Sequence, residues 1–422
     1  MTNRKKLYFS AHPIQTVHLY KEEGEIPYYF SREFGYDSIL DDYVGTDFNR
    51  QFRLVELHRY KHFGFIKEIQ LIFNLFSISK NIDILCLMHA SPRSFVRACT
   101  YLLGGGKGHI YIKLDAEPSD TGNVFEYNNY QILKKIYFRV FGKMVDIITI
   151  ETDKAYQQTK HSIWKDYIGE KLFLMPNGFD TEILNELNIS VNPVSKKERI
   201  ILTAGRIGTH QKNTELLLEI LESVDLKDWK VYISGPIMES FEETINQFYS
   251  RNPYLKDSVI FTGQIEQSEL YELYNRARIF CLTSRHESFG FVLSEAAYMN
   301  NYIITTDVGV AKEIVPVFGG DIIYSGSVDD FVSAINKIIS LPDDKLNKIV
   351  PEVSKDRLTW KYILENNQGI QKLISMESKK RHPIMGILLK ILTPFSLLFL
   401  IFITLLEYIY HNHILNRNKK GL

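Results

Sequence analysis

The sequence predicts an α/β protein built from two doubly wound domains, and three observations lead there. The chain has 422 residues, enough for two buried cores rather than one. Short apolar runs alternate with helix-period stretches along most of its length. The series breaks near residues 175–197 and then restarts. Strand–helix–strand repetition implies parallel sheets covered on both faces, with ligands bound outside the carboxyl ends of the strands and in the cleft between domains.

In the first series, LYFSA (7–11), IDILCLM (82–88), HIYIKL (109–114) and MVDIITI (144–150) read as buried strands. The stretches 64–78 and 128–142 read as amphipathic helices. GGGKG at 104–108 has the look of a phosphate loop, but no Ser or Thr follows Lys107 and a strand comes next, so a helix end with a tight turn is the better account. The second series runs through ERIILTA (198–204), WKVYIS (229–234), SVIFT (258–262), RIFCLTS (278–284), YIITT (302–306) and DIIY (321–324), with Ser268 and Ser327 as helix N-caps.

The predicted domains are 1–175, 176–378, with the helices near 355–375 returning to the first domain, and a basic, hydrophobic tail over 379–422. In that tail Ile384 to Leu406 carries only Lys390 as a charge, while Pro394 interrupts the run and both flanks are positive. About 20 apolar residues are needed to span a bilayer as a helix. The segment is read as membrane-associated, either as a transmembrane helix or as an interfacial or re-entrant anchor, with a buried core helix as the plainer alternative. Zero net formal charge argues against bulk nucleic-acid binding. Cys86, Cys99 and Cys281 sit in apolar segments and read as free buried thiols of a reducing compartment. The start, MTNRKKLYFSAHP, reaches polar residues before any signal-length apolar run, so the expected location is the cytosol.

Two stretches carry chemistry. In TAGRIGTHQKNTELLLEI (203–220), a glycine turn around Gly205 follows a strand and precedes a helix starting near Asn213. Arg206 and Lys212 flank that turn, so two cations and the positive end of a helix dipole converge, in outline a diphosphate site. In SRHESFGFVLSEA (284–296), Glu287 lies in the turn after a strand, and Glu295 lies about one and a half turns into the helix that begins near Phe289 or Gly290. The amides of Ser288, Phe289, Gly290 and Phe291 suit an anion or a sugar oxygen. A carboxylate beside them suits hydroxyl groups rather than phosphate. The residues alone therefore suggest a nucleotide diphosphate attached to something rich in hydroxyls; the plainer alternative is that Glu287 only stabilises the helix start.

The ordered set MPNGFD (175–180), GRIGTHQKN (205–213), VYISGP (231–236), the stretch 260–315 with its spaced glutamates, and Trp360 resembles glycosyltransferase family 4. That family comprises retaining, nucleotide-sugar-dependent enzymes of the GT-B fold, two Rossmann-like domains facing across a cleft. The resemblance covers roughly 143–370. It implies that Arg206 and Lys212 bind the donor diphosphate, Glu295 the ribose, and Glu287 the donor sugar. It also implies that Ser288 to Phe291 offer amides to sugar and phosphate, that the turn Gly263, Gln264, Ile265 holds the base edge, and that no metal or other cofactor is needed. The chain departs from the family at Ser288, where glycine is usual, and at Met299-Asn300-Asn301, where asparagine replaces the glycine after the helix. The first domain also lacks a paired-glycine turn after its first strand; AHPIQTVHLY stands there.

On the acceptor side His12, His89, Asp115 and Glu117 lie at or just past strand ends. Asp115 and His89 are the candidates for contact with the acceptor or the sugar, and no catalytic base is assigned. The expected function is transfer from a nucleotide-sugar donor to a lipid-linked or membrane-surface glycan acceptor, in envelope or exopolysaccharide assembly. The expected place is the cytoplasmic face of the cell membrane, with 384–410 as the anchor. A non-catalytic nucleotide-sugar-binding scaffold and a nucleotide-sugar epimerase are the alternatives.

Overall fold

The structure is a computed structural model, and it describes residues 4–11, 13–60, 64–115, 139–162 and 165–377. The chain divides into two compact units, one holding residues up to Pro176 together with Trp360 onward, the other Asn177–Thr359.

Among the described residues, the first unit's sheet has the order β3-β4-β2-β1-β5-β6-β7-β8. Its strands are β1 (Lys6–Ser10), β2 (Asp37–Leu40), β3 (Gln51–Phe52), β4 (Val55–Leu57), β5 (Ile84–Met88), β6 (His109–Leu114), β7 (Ile147–Ile150) and β8 (Leu172–Leu174). All pair in parallel except β3 with β4. The strands β5, β6 and β7 are buried almost throughout, as expected of runs rich in Ile and Leu covered on both faces. Their outer layer includes the helix Pro92–Leu103, capped by Ser91, whose hydroxyl accepts the Ser94 amide at 3.2 Å. That helix closes at Gly104, and Gly105 turns the chain at φ +87°, so GGGKG is a helix end with a turn. The helix Gly64–Ile78 matches the predicted stretch, whereas of 128–142 only 139–142 lies within the described residues, and it is helical. The helices Trp360–Asn366 and Gln368–Ser375 complete this unit; Asn367 donates to the Leu174 carbonyl at 2.8 Å, and Lys361 pairs with Glu33 at 3.6 Å.

The second unit's sheet is all parallel, ordered β11-β10-β9-β12-β13-β14. Its strands are β9 (Glu198–Ala204), β10 (Lys230–Ser234), β11 (Val259–Gly263), β12 (Ala277–Leu282), β13 (Tyr302–Thr306) and β14 (Gly320–Ile323). One core packs Ile201, Ile233, Ile279 and Ile304 of the sheet against Leu217, Leu221, Trp229 and Phe331. Ser327 caps its helix through the Asp330 amide. Ser268 does not cap. The helix Gln267–Arg276 starts earlier, with Glu266 extended before it and the Glu269 carboxylate reaching back to the Glu266 amide at 3.3 Å, an arrangement that a Ser at 268 cannot displace. The three cysteines are free and buried. Among the described residues no helix is long and apolar enough to cross a membrane, and the tail 379–422 lies outside them.

Lys197 is a buried cation at the amino edge of this sheet, donating to the Tyr274 and Asn275 carbonyls at 3.0 Å each. Burial first, then repulsion from Lys355 and Arg278, brings its ammonium down to about 7. A lysine with a lowered folded pKa contributes stability that is present above the unfolded value, about 10.4, and lost as pH falls to the folded one. The Lys197→Met variant is therefore expected to flatten the rise of unfolding free energy between these two values, measured by urea titration at stepped pH. Lys355, brought down to about 8 by burial, retains its own share of that slope.

Candidate functional site

The carboxyl ends of three neighbouring strands of the second unit are joined by glycines. The Gly235 amide donates to the Gly263 carbonyl, and the Gly205 amide to the Ser234 carbonyl, both at 3.0 Å. At Gly235 (φ +136°) a Cβ would lie 1.9 Å from the Gly205 oxygen, so only glycine lets these backbones approach. A Cβ on Gly205 would lie 2.8 Å from Cε of Lys212, so that glycine is the gap through which the lysine reaches.

Lys212 reaches Glu287. Its Nζ donates to Glu287 Oε1 at 2.6 Å, and the Ser284 hydroxyl donates to the same oxygen at 2.6 Å. Gln211 Nε2 donates to Oε2 at 3.1 Å and to the His286 carbonyl at 3.2 Å. Arg206 stands outside, exposed, and donates to Gln211 Oε1 at 2.7 Å. Three side chains from two turns thus meet on one carboxylate that is 8% exposed. A charge so buried persists because these donors hold it. The two turns are sewn together beneath it. The Arg285 amide donates to the Gln211 carbonyl at 2.8 Å, and Thr283 Oγ1 donates to the Lys212 and Asn213 carbonyls at 3.2 Å. Asn213, at φ +51°, ends this turn and precedes the helix Thr214–Ser223.

The helix after Glu287 starts at Phe291, one or two residues later than expected, because Gly290 adopts φ +85° and holds the N-cap place. The amides of Ser288, Phe289 and Gly290 make no hydrogen bond among the described residues. Phe289 is buried; its ring meets that of Phe291 edge-on at 5.2 Å, and its carbonyl accepts from Val310 at 2.9 Å. Gly309 makes that approach possible, since a Cβ there would lie 2.0 Å from the Phe289 oxygen. Ser288 is half-buried. At the far end of the helix Asn300 takes φ +61°, the left-handed conformation for which glycine is otherwise used.

Glu295 stands apart from the Glu287 network. It lies on the fifth residue of the helix, half-buried, within reach of Tyr274, whose phenol burial and then this carboxylate push well above its usual range. Gly263 turns at φ +66° with open space where a Cβ would be, Gln264 is exposed, and Ile265 is half-buried. The Gln264 and Ile265 amides make no hydrogen bond among the described residues.

In the first unit Asp115 follows β6 directly and is half-buried. His89 follows β5 at φ +59°, its amide donating to the Lys113 carbonyl at 2.8 Å. Burial lowers the His89 pKa, and Asp115 opposes that. His12 and Glu117 lie outside the described residues. Sequence reasoning missed Gln211, Ser284, Gly235 and Gly309. Gln211 and Ser284 stood within the quoted turns as ordinary polar residues. The two glycines are recognisable only from the turns whose backbone they approach.

Residues 185–355 match the family model of glycosyl transferases group 1. The chain is 25% identical over 208 residues to the amylovoran biosynthesis glycosyltransferase AmsD of Erwinia amylovora, covering 49% of this chain and 55% of that protein. It is 28% identical over 151 residues to the phosphatidylinositol N-acetylglucosaminyltransferase GPI3 subunit of Saccharomyces cerevisiae, covering 35% of this chain and 32% of that protein. The chain spans about half the length, or less, of these curated relatives. Among solved structures it resembles Anabaena HepE in complex with UDP and glucose, with a TM-score of 0.59 at 15% identity, covering 88% of this chain and 100% of that one. That likeness supports an α/β GT-B-like fold with two Rossmann-like sheets. The likeness to glycosyl transferases group 1 is carried by residues 185–355.

Proposed function

We propose that the protein is a retaining glycosyltransferase that moves a sugar from a nucleotide-diphosphate donor to a lipid-linked or membrane-surface glycan acceptor. The observation that carries this reading is the Lys212–Glu287 pair, set beside the unbonded amides of Ser288 to Gly290. With no donor bound, Glu287 neutralises Lys212. A diphosphate competes for the lysine and for the exposed Arg206 guanidinium, which leaves the Glu287 carboxylate to accept hydrogen bonds from sugar hydroxyls. Glu295 serves the ribose, and the Gln264 and Ile265 amides serve the base.

In the transfer, the bond between the anomeric carbon and the phosphate oxygen breaks while the acceptor oxygen bonds to that carbon on the same face. The acceptor proton passes to the departing phosphate oxygen. Lys212, Arg206 and the amides stabilise the charge that develops there, and no metal is assigned a part. The relatives' names support the acceptor class: amylovoran biosynthesis in one, phosphatidylinositol in the other. The segment 384–410 supports placement on the cytoplasmic face of the membrane.

Calorimetry with UDP and a set of common nucleotide sugars, followed by anomer-resolved NMR of the product, tests the reading. Absence of binding to every nucleotide sugar overturns it, and an inverted product overturns the retaining assignment. Arg206→Ala is expected to weaken the preferred donor about tenfold, because an exposed guanidinium on a diphosphate is partly screened. Hydrolysis of the donor without acceptor separates an enzyme from a binding scaffold.

A further inference from the structure

Gln211 stands between Arg206 and Glu287, and its side chain is committed at both ends. Its Oε1 accepts from Arg206 Nη2 at 2.7 Å, while Nε2 donates to Glu287 Oε2 at 3.1 Å and to the His286 carbonyl at 3.2 Å. The amide fits in this orientation alone. Turned over, its oxygen would meet a carboxylate and a carbonyl, and its N–H groups a guanidinium that accepts nothing. The turn does not need this side chain for its own shape. The Gln211 carbonyl already accepts the Arg285 amide at 2.8 Å, Arg285 Nη1 donates to the His210 carbonyl at 2.7 Å, and Thr283 holds the Lys212 and Asn213 carbonyls. The half-buried Gln211 side chain instead reaches out of the turn to Glu287.

The Glu287 carboxylate is held unequally. Its Oε1 takes Lys212 Nζ and the Ser284 hydroxyl, each at 2.6 Å. Its Oε2 takes Gln211 and, among the described residues, no other donor. When a diphosphate draws Lys212 away, Ser284 remains on Oε1 and Gln211 on Oε2. Each oxygen then keeps one protein donor and one open lone pair, and the plane of the group is fixed at both oxygens. Without Gln211 the carboxylate would pivot about its Ser284 contact, and a reacting sugar tolerates little misplacement.

We propose that Gln211 is a positioning residue: through Nε2 it holds Glu287 in the orientation that receives the donor sugar, and through Oε1 it keeps Arg206 beside the diphosphate site until a donor arrives. This rests on the glycosyltransferase reading, and the two fail in different ways. The full chain is assayed with UDP-glucose, UDP-galactose, UDP-N-acetylglucosamine and GDP-mannose, following release of the nucleoside diphosphate as the sugar passes to water. Calorimetry with UDP and GDP runs beside it.

Gln211→Met keeps the length of the side chain without its hydrogen bonds, and it should lower kcat about tenfold, the worth of one hydrogen bond to a charged group. The donor KM and the affinity for the free nucleoside diphosphate should stay within about twofold of the parent, because the loss falls on the sugar and not on the diphosphate. Gln211→Glu keeps an acceptor for Arg206 but sets a second carboxylate against Glu287. It should lower kcat at least as far and weaken the nucleoside diphosphate about fivefold, since it holds Arg206 more tightly. In the Glu287→Gln background, Gln211→Met should cost less than about twofold, because the carboxylate it positions is already gone. The role is overturned if Gln211→Met keeps the parent kcat, if it weakens the nucleoside diphosphate as much as it lowers kcat, or if its loss is undiminished in the Glu287→Gln background. A parent protein that neither binds nor turns over any of these donors overturns the glycosyltransferase reading, and this role with it.

Discussion

Glu287→Gln is expected to lower sugar transfer by about a hundredfold or more, with the fold intact. That is the scale on which one preorganised electrostatic contact to a reacting centre counts. Glutamine keeps an oxygen for Lys212 and Ser284 but gives up the charge that now holds Lys212 at 2.6 Å and the carboxylate that would accept sugar hydroxyls. Lys212→Ala should act from the other side, removing the cation from the diphosphate and leaving Glu287 with the Ser284 and Gln211 donors. Because the two side chains touch, the double variant should lose less than the sum of the singles. A coupling on the order of 1–3 kcal/mol is expected in thermal unfolding without donor. The decisive measurements are the transfer rate and the unfolding free energy of all four proteins. Transfer that survives Glu287→Gln at the parent rate would falsify the site.

The second large effect is on the backbone. Gly235→Ala should cost on the order of 3 kcal/mol or more, since the added methyl meets the Gly205 carbonyl rather than a movable side chain. It should also abolish donor binding, because the displaced Gly205 turn carries Arg206 and gives Lys212 its path. Gly263→Ala provides the contrast. Its φ of +66° is unfavourable for alanine, but no atom lies within 4 Å of the new methyl, so about 1–2 kcal/mol is expected. Chemical denaturation of both variants, with UDP calorimetry beside it, separates crowding from conformational strain. Equal losses in the two would refute the close-approach explanation.

Much of the second unit was legible because its signals are local. ERIILTA and YIITT are short stretches rich in Ile, Leu, Tyr and Thr, and they form strands over those residues. Ser327 precedes an apolar helix and caps it. The first unit was less legible where helix breakers stand inside an element. EEGEIPYYFSREF carries Gly24 and Pro27, yet it is one helix. A Cβ on Gly24 would lie 2.0 Å from the Leu19 carbonyl, so this glycine serves a close approach after β1 where no paired-glycine turn exists. Short strands such as β2 and β4 have too few apolar residues to stand out from loop.

By itself the sequence determined the alternation of strands and helices, the restart near 175–197, and the placing of Arg206, Lys212 and Glu287 in turns after strands. These depend on side-chain period, capping and turn chemistry, which act over a few residues. Only the tertiary structure decided which of those turns meet. Lys212 and Glu287 are 75 residues apart and touch because β12 pairs beside β9. Strand order is set by the packing of whole faces, and periodicity is silent about it. For the same reason Glu295 was placed near Glu287 along the chain, yet its side chain sits with Tyr274. Lys113 and Glu151 are likewise 38 residues apart and meet because β6 pairs with β7.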